Sequence, residues 1–178
     1  MNKINQKKSP FMMAYEQEKT RFQAAGRLVK LFGQQAWTRN QWPDGCGVYL
    51  IWRMPTEGAR QLLYIGKAGK YCRTNPGAAT MNGGDFAERL GRWTPYCFQR
   101  KGLYAKHFEY GPNFGVNQLR QMPYDTRYQH HVPEAEIEVE CFRLAGWEQN
   151  QSPALLEAHL LQEYLMEHGD LPVANNEL

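Results

Sequence analysis

The chain has 178 residues, of which 42% are hydrophobic and 22% charged, a composition typical of one globular domain with a sizeable core. No stretch approaches the ~20 apolar residues that a membrane-spanning helix needs. The lysine-rich start is not followed by the apolar segment of a secretory signal. These features argue against a membrane or secreted protein, and we expect a cytoplasmic one.

Charge is unevenly distributed along the chain, although the net charge is only +3. Residues 1–40 carry eight Lys or Arg against two acidic residues, and residues 53–110 carry ten against four. Residues 111–178 carry three against eleven. A positive N-terminal two-thirds is typical of a surface that follows nucleic-acid phosphates. Ordinary solvated surface charge is the alternative interpretation.

The four cysteines form no Cys-x-x-Cys pair and no spacing typical of a zinc site; they are Cys46, Cys72, Cys97 and Cys141. We therefore expect reduced, structural thiols, as in a cytoplasmic protein.

Residues 1–10 are predicted to be a flexible basic tail, and residues 11–178 a single domain. Apolar residues from Phe11 to Phe32 recur at spacings of three, four or seven, which predicts an amphipathic helix over 11–33 that ends at Gly33.

Two apolar runs follow, Val48 to Trp52 and Leu62 to Ile65. They are separated by Pro55-Thr56-Glu57-Gly58, which is typical of a β-turn, so the runs predict a hairpin. A turn centred between Thr56 and Glu57 places Tyr49 directly opposite Tyr64. Because side chains alternate along a strand, both phenols are then expected on one face of the sheet.

Two segments that follow the hairpin are rich in groups suited to nucleic acid. Residues 67–84 are predicted to form a long Gly- and Asn-rich loop, and residues 94–134 interleave aromatic and basic residues without a clear period. Lys and Arg side chains bind phosphates, and aromatic rings stack on nucleobases. The alternative interpretation of residues 94–134 is a surface subdomain with its own small aromatic core. The predicted DNA contacts are Lys70, Arg73, Arg92, Arg100, Lys101 and Lys106.

The remaining predicted elements are a short helix, a strand and a long helix. Asp85 is a plausible N-cap for a helix that runs to about Trp93. A strand over 136–144 alternates Ile137, Val139 and Cys141 with three glutamates, which predicts one buried and one solvated face. Ser152, Pro153 and Gly169 are the expected cap, first residue and terminator of the last helix.

Glu157 is predicted to lie in the middle of the apolar face of that last helix, between Ala154, Leu160, Leu161 and Tyr164. A carboxylate directed at a core is costly unless it is paired or bound to a metal. A buried salt bridge, for example to Arg89, and a metal site are both compatible with this position.

Five features occur in a characteristic order: Gly47-Val48-Tyr49, then Tyr64-Ile65-Gly66, then Arg89 and Glu157 on two later helices, then a Pro-x-x-Asn ending at Asn175. This pattern resembles the GIY-YIG nuclease superfamily, and most of all its compact type II restriction endonucleases. The resemblance covers residues 45–93 and 135–176. It implies an α+β fold with a three-stranded antiparallel sheet flanked by helices, in which 67–84 and 94–134 are insertions.

The resemblance also implies roles for individual residues. One tyrosine activates the attacking water, for which we favour Tyr49, and positive neighbours have to favour its phenolate because an unperturbed phenol titrates near ~10. The family's helix usually carries Tyr or His four residues after the Arg, where this chain has Trp93, which cannot act as a base; Tyr96 is a substitute. The expected catalytic set is Tyr49, Tyr64, Lys67, Arg89, Glu157 and Asn175.

The function implied by the resemblance is a Mg²⁺-dependent DNA endonuclease that leaves a 5′-phosphate and a 3′-hydroxyl. One Mg²⁺ is expected on Glu157 in each site, with Mn²⁺ as a substitute. The substrate is double-stranded DNA, and cutting both strands of a palindrome calls for a homo-oligomer. The alternatives are a structure-specific or nicking repair nuclease and, in view of Trp93, a catalytically silent DNA-binding module.

Overall fold

The computed structural model describes residues 9–37, 39–75, 78–82, 85–91, 134–144, 152–172 and 175. Within these ranges lie three α-helices: α1 (Pro10–Ala24), α2 (Phe86–Gly91) and α3 (Pro153–His168). Six strands accompany them: β1 (Leu28–Phe32), β2 (Cys46–Arg53), β3 (Gln61–Ala68), β4 (Lys70–Asn75), β5 (Ala78–Asn82) and β6 (Ile137–Leu144).

The main sheet is antiparallel and has four strands in the order β1-β6-β2-β3, so the chain has an α+β fold. The predicted sheet of three strands lacked β1. Helices α1 and α3 cover one face, where Phe11, Phe22 and Leu160 pack on β2 and β6. Helix α2 covers the other face through Phe86 and Leu90. The sheet therefore divides the core into two layers. Burial of each such side chain stabilises the fold by about 1.5–3 kcal/mol.

The predicted helix over 11–33 was wrong in its second half. Ser9 caps α1 by accepting a hydrogen bond from Met12 N, and Pro10 occupies the first helical position. The helix ends early because Gly26 adopts a left-handed conformation with φ of 65°. Residues Leu28–Phe32 then pair with β6, so their apolar spacing serves a strand.

The hairpin β2–β3 forms, but its register differs from the predicted one. Tyr49 pairs with Gly66, and Tyr64 pairs with Ile51. The connection spans residues 54–60 instead of a four-residue turn, and a β-bulge interrupts the pairing after Ile51. The displacement amounts to two residues, an even number, so both tyrosines remain on one face.

The segment predicted as a loop over 67–84 contains regular structure. Its first two residues complete β3, and β4 and β5 form a separate two-stranded antiparallel sheet. Residues 94–133 of the second predicted insertion and the predicted tail over residues 1–8 lie outside the described ranges.

The glutamate face of β6 was predicted to be solvated, and this was wrong. The exposed fraction of Glu138 is 3% and that of Glu140 is 0%. Strand β6 is internal to the sheet, and α1 covers this face. The same face continues into Phe142 and Leu144, both buried, and that continuation in the sequence was the signal that the face is covered.

Both carboxylates are compensated by cations and donors. Arg60 Nη2 lies 2.5 Å from Glu138 Oε1 and 2.9 Å from Glu140 Oε2. Lys30 Nζ lies 2.8 Å from Glu140 Oε1. Tyr15 Oη and Trp52 Nε1 donate to Glu140 at 2.8 and 2.9 Å. This buried network ties α1, β1 and the connection before β3 to the central strand.

The thiols of Cys46 and Cys141 are buried and form no disulfide. None of the helices in the described part of the chain combines the length and hydropathy that crossing a bilayer requires.

Candidate active site

Edge strand β3 carries two of the predicted site residues, Tyr64 and Lys67, with Gly66 between them. The ring of Tyr64 lies 5.8 Å from the ring of Tyr49, at an interplanar angle of 36°. Tyr49 is 3% exposed and Tyr64 is half-buried. The two phenols therefore form one aromatic pair, although they are diagonal neighbours and not direct cross-strand partners.

Gly66 is required by the close approach of this pair. A Cβ placed on Gly66 would lie 2.3 Å from Tyr64 Cε1 and 2.9 Å from both Tyr49 Cζ and Oη. Gly47, in Gly47-Val48-Tyr49, is required for an equivalent reason, since its Cβ would lie 1.9 Å from the carbonyl oxygen of Phe142. Close packing thus accounts for both glycines, a role that the sequence analysis missed.

Helix α2 brings Arg89 to the tyrosine face of the sheet. Asp85 caps the helix by accepting from Glu88 N at 2.8 Å, as predicted. Phe86 is fully buried and its ring lies 6.5 Å from that of Tyr49. Arg89 follows Phe86 by three residues and therefore shares its side of the helix.

Helix α3 positions Glu157 at the outer edge of β3. The helix begins as predicted, because Ser152 Oγ accepts from Leu155 N at 3.2 Å, and it ends at Gly169 with φ of 72°. Glu157 Oε2 forms an ion pair with Lys67 Nζ, with side-chain exposures of 15% for Glu157 and 42% for Lys67. The salt-bridge alternative from the sequence is thus realised through Lys67.

The electrostatics of Glu157 reflect this setting. Burial raises the pKa of Glu157 above its usual range, and this outweighs three effects that lower it. These effects are the ammonium of Lys67, the backbone N–H of Lys67 and the charge of Arg89. The charge of Arg89 on α2 therefore acts on the Glu157 carboxylate of α3.

Asn175 binds the same strand edge through its side-chain amide. Its Oδ1 accepts from Ile65 N at 2.9 Å, and its Nδ2 donates to Ile65 O at 2.8 Å. The Asn175 amide therefore pairs with the backbone of β3 as a neighbouring strand would. The family-implied role of Asn175 in activity remains a prediction.

Five of the six predicted catalytic residues lie around β3 in two groups, and the sixth, Asn175, binds the β3 backbone. Tyr49, Tyr64 and Arg89 lie on the α2 side, whereas Lys67 and Glu157 lie on the α3 side, as strand alternation requires. Because β3 is at the sheet edge, only one strand separates the two groups. The predicted groups therefore lie on both sides of the edge strand, and not in one pocket on a single face.

One carboxylate here matches the donor set that a single hard cation needs. Mg²⁺ accepts one carboxylate oxygen and takes its other ligands from water and phosphate. Glu157 is partly exposed at the strand edge, where both water and a ligand can reach it. No group of three or more His, Cys, Asp or Glu suited to a metal occurs within the described ranges.

The predicted DNA contacts lie mostly beyond the described residues. Lys70 and Arg73 belong to β4, of which the backbone is described. The other predicted contacts and the two aromatic residues beside them fall outside the described ranges; these are Arg92, Arg100, Lys101, Lys106, Trp93 and Tyr96.

Comparison with known proteins found no matching family model, no matching curated protein and no matching solved structure.

Proposed function

We propose that this protein is a Mg²⁺-dependent DNA endonuclease of the GIY-YIG type, and that it acts as a sequence-specific restriction enzyme. One observation carries the proposal: residues from four separated parts of the chain meet around β3. The tyrosine pair lies 5.8 Å apart, Glu157 pairs with Lys67 and is influenced by Arg89, and Asn175 binds the β3 backbone.

The chemistry follows from what each side chain can do. A water molecule attacks the scissile phosphorus and gives its proton to the phenolate oxygen of Tyr49, with Tyr64 beside it. The guanidinium of Arg89 donates to the phosphate oxygens, on which negative charge increases in the transition state. The bond between phosphorus and the 3′ oxygen breaks, and the leaving 3′ oxygen takes a proton from a second water molecule, which gives a 5′-phosphate and a 3′-hydroxyl.

Glu157 would hold the divalent cation, which when bound supplies positive charge for the leaving oxygen. Lys67 contributes a second positive charge on the same edge of β3. The ordered sheet and the Asn175 contact keep these groups in place before DNA arrives, which lowers the entropic cost of reaching the transition state.

The test is cleavage of unmodified phage and plasmid DNA by the purified protein with Mg²⁺. Discrete fragments are the expected result, and they disappear when EDTA removes the metal. Nicked plasmid without discrete fragments, or cutting confined to branched DNA, would indicate the repair-type nuclease. Salt-dependent DNA binding without cleavage under Mg²⁺ or Mn²⁺ would indicate a silent binding module. Either result rejects the proposal.

A further inference from the structure

Glu157, the residue proposed to bind the metal, already forms an ion pair with the positively charged side chain of Lys67. Both the ammonium and the backbone N–H of Lys67 are directed at the Glu157 carboxylate. A partly buried carboxylate needs a counter-charge, and here one residue of the same strand edge supplies it. The group that would receive a cation already has a cationic neighbour in the protein alone.

An ammonium and a divalent cation on one carboxylate compete with each other, because their positive charges repel at such short distance. The Lys67 side chain is 42% exposed, and its flexible stem lets the ammonium turn into water. The backbone N–H of Lys67 is fixed by β3 and cannot leave. Exchange therefore affects the ammonium alone and keeps the Glu157 carboxylate anchored to the strand.

We propose that Lys67 is a built-in counter-ion that occupies the cation position at Glu157, and that a divalent metal binds by displacing the Lys67 ammonium. The inference rests on the proposed function, in which Glu157 is the metal ligand. In the protein without DNA, the Lys67 ammonium weakens the binding of a divalent metal to Glu157. The released ammonium gains a partner when a DNA phosphate lies at the same edge, so metal and DNA binding reinforce each other.

The first test is Mn²⁺ binding to the full chain without DNA, followed by electron paramagnetic resonance. Lys67→Met removes the ammonium and keeps the length of the side chain. It is expected to bind Mn²⁺ about tenfold more tightly than the wild type, or better. Lys19→Met is the matched control, because Lys19 pairs with Glu16 on α1, and it should leave Mn²⁺ affinity unchanged. Lys67→Arg keeps the charge and should not strengthen binding.

The second test measures whether Mg²⁺ makes the Lys67 ammonium more accessible to solvent. Acylation of lysines under limiting reagent, quantified by mass spectrometry, should be faster at Lys67 when Mg²⁺ is added and unchanged at Lys19. Glu157→Gln should remove the effect of Mg²⁺ on Lys67. Both readouts are independent of DNA cleavage.

The outcomes separate this inference from the proposed function. Equal Mn²⁺ affinity of wild type and Lys67→Met, together with Mg²⁺-dependent cleavage by the wild type, overturns the inference and leaves the nuclease proposal intact. Absence of Mn²⁺ binding in both proteins overturns the inference and the metal role of Glu157 together. Unchanged Lys67 acylation on Mg²⁺ addition also contradicts displacement.

Discussion

The rings of Tyr49 and Tyr64 contact each other at a tilt of 36°, with their centroids 5.8 Å apart, although each residue pairs across the hairpin with a different residue. The glycine opposite Tyr49, Gly66, leaves the space into which both rings lean. The geometry of the tyrosine pair therefore depends on Gly66, which has no side chain, as well as on Tyr49 and Tyr64 themselves.

Gly66→Ala is expected to destabilise the fold by about 1–3 kcal/mol, because the added methyl group would overlap both rings. The free energy of unfolding in urea measures this. In a Tyr64→Ala background the same substitution should cost clearly less, since the nearest atom, 2.3 Å away, has gone. An equal cost in both backgrounds would show that the rings do not cause the requirement for glycine.

Asn175→Ala is expected to expose the outer edge of β3. It removes both hydrogen bonds to Ile65, at a cost of about 1–3 kcal/mol for the local opening. Amide hydrogen exchange at Ile65 should become faster, whereas exchange at Leu50, inside the sheet, should change little. Asn175→Asp retains the acceptor and should keep part of the protection. Unaltered exchange at Ile65 in the alanine variant would contradict the contact.

Glu157→Gln is expected to lower the cleavage rate by at least about a hundredfold, with folding and DNA binding retained. The amide keeps the size of the side chain and removes the charge that a cation requires. Glu163→Gln, on the same helix, is the matched control and should cleave at the wild-type rate. Arg89→Ala should also lose cleavage. Wild-type cleavage by either the Glu157 or the Arg89 variant would remove that residue from the active site.

Acid should destabilise the protein partly through Glu140. Burial alone would raise the pKa of Glu140, but the ion pair with Lys30, the charge of Arg60 and the Tyr15 hydroxyl together lower it. A lowered folded-state pKa contributes stability that is complete above the unfolded value, about 4.3, and is lost as pH falls through the folded-state pKa. Glu138 has the opposite sign, because burial and the Glu140 charge raise its pKa despite Arg60.

Urea unfolding between about pH 3 and pH 6 measures this dependence. Glu140→Gln should be less stable than the wild type near neutral pH by about 1–3 kcal/mol and should lose less stability in acid. Glu138→Gln should instead steepen the acid loss, since the opposing contribution is gone. Glu57→Gln, on the exposed connection, is the control. Parallel profiles for wild type and Glu140→Gln would rule out this role of Glu140.

Sequence patterns governed by nearby residues predicted the structure well. The caps of α2 and α3 follow from Asp85, Ser152 and Gly169, because capping involves hydrogen bonds within a few residues. The hairpin and the shared face of the two tyrosines follow from alternation, which survives a displacement of two residues.

Distant contacts decided the rest. Periodicity cannot distinguish a strand from the end of a helix in Leu28–Phe32, which became β1 because β6 offered it a partner. Local alternation predicted that Glu138 and Glu140 are solvated. In the fold α1 covers both residues, and Arg60 from elsewhere in the chain compensates their charge. Glu157 was identifiable as a carboxylate on an apolar face. Its partner, Lys67, lies ninety positions earlier, and only the folded sheet edge brings the two together.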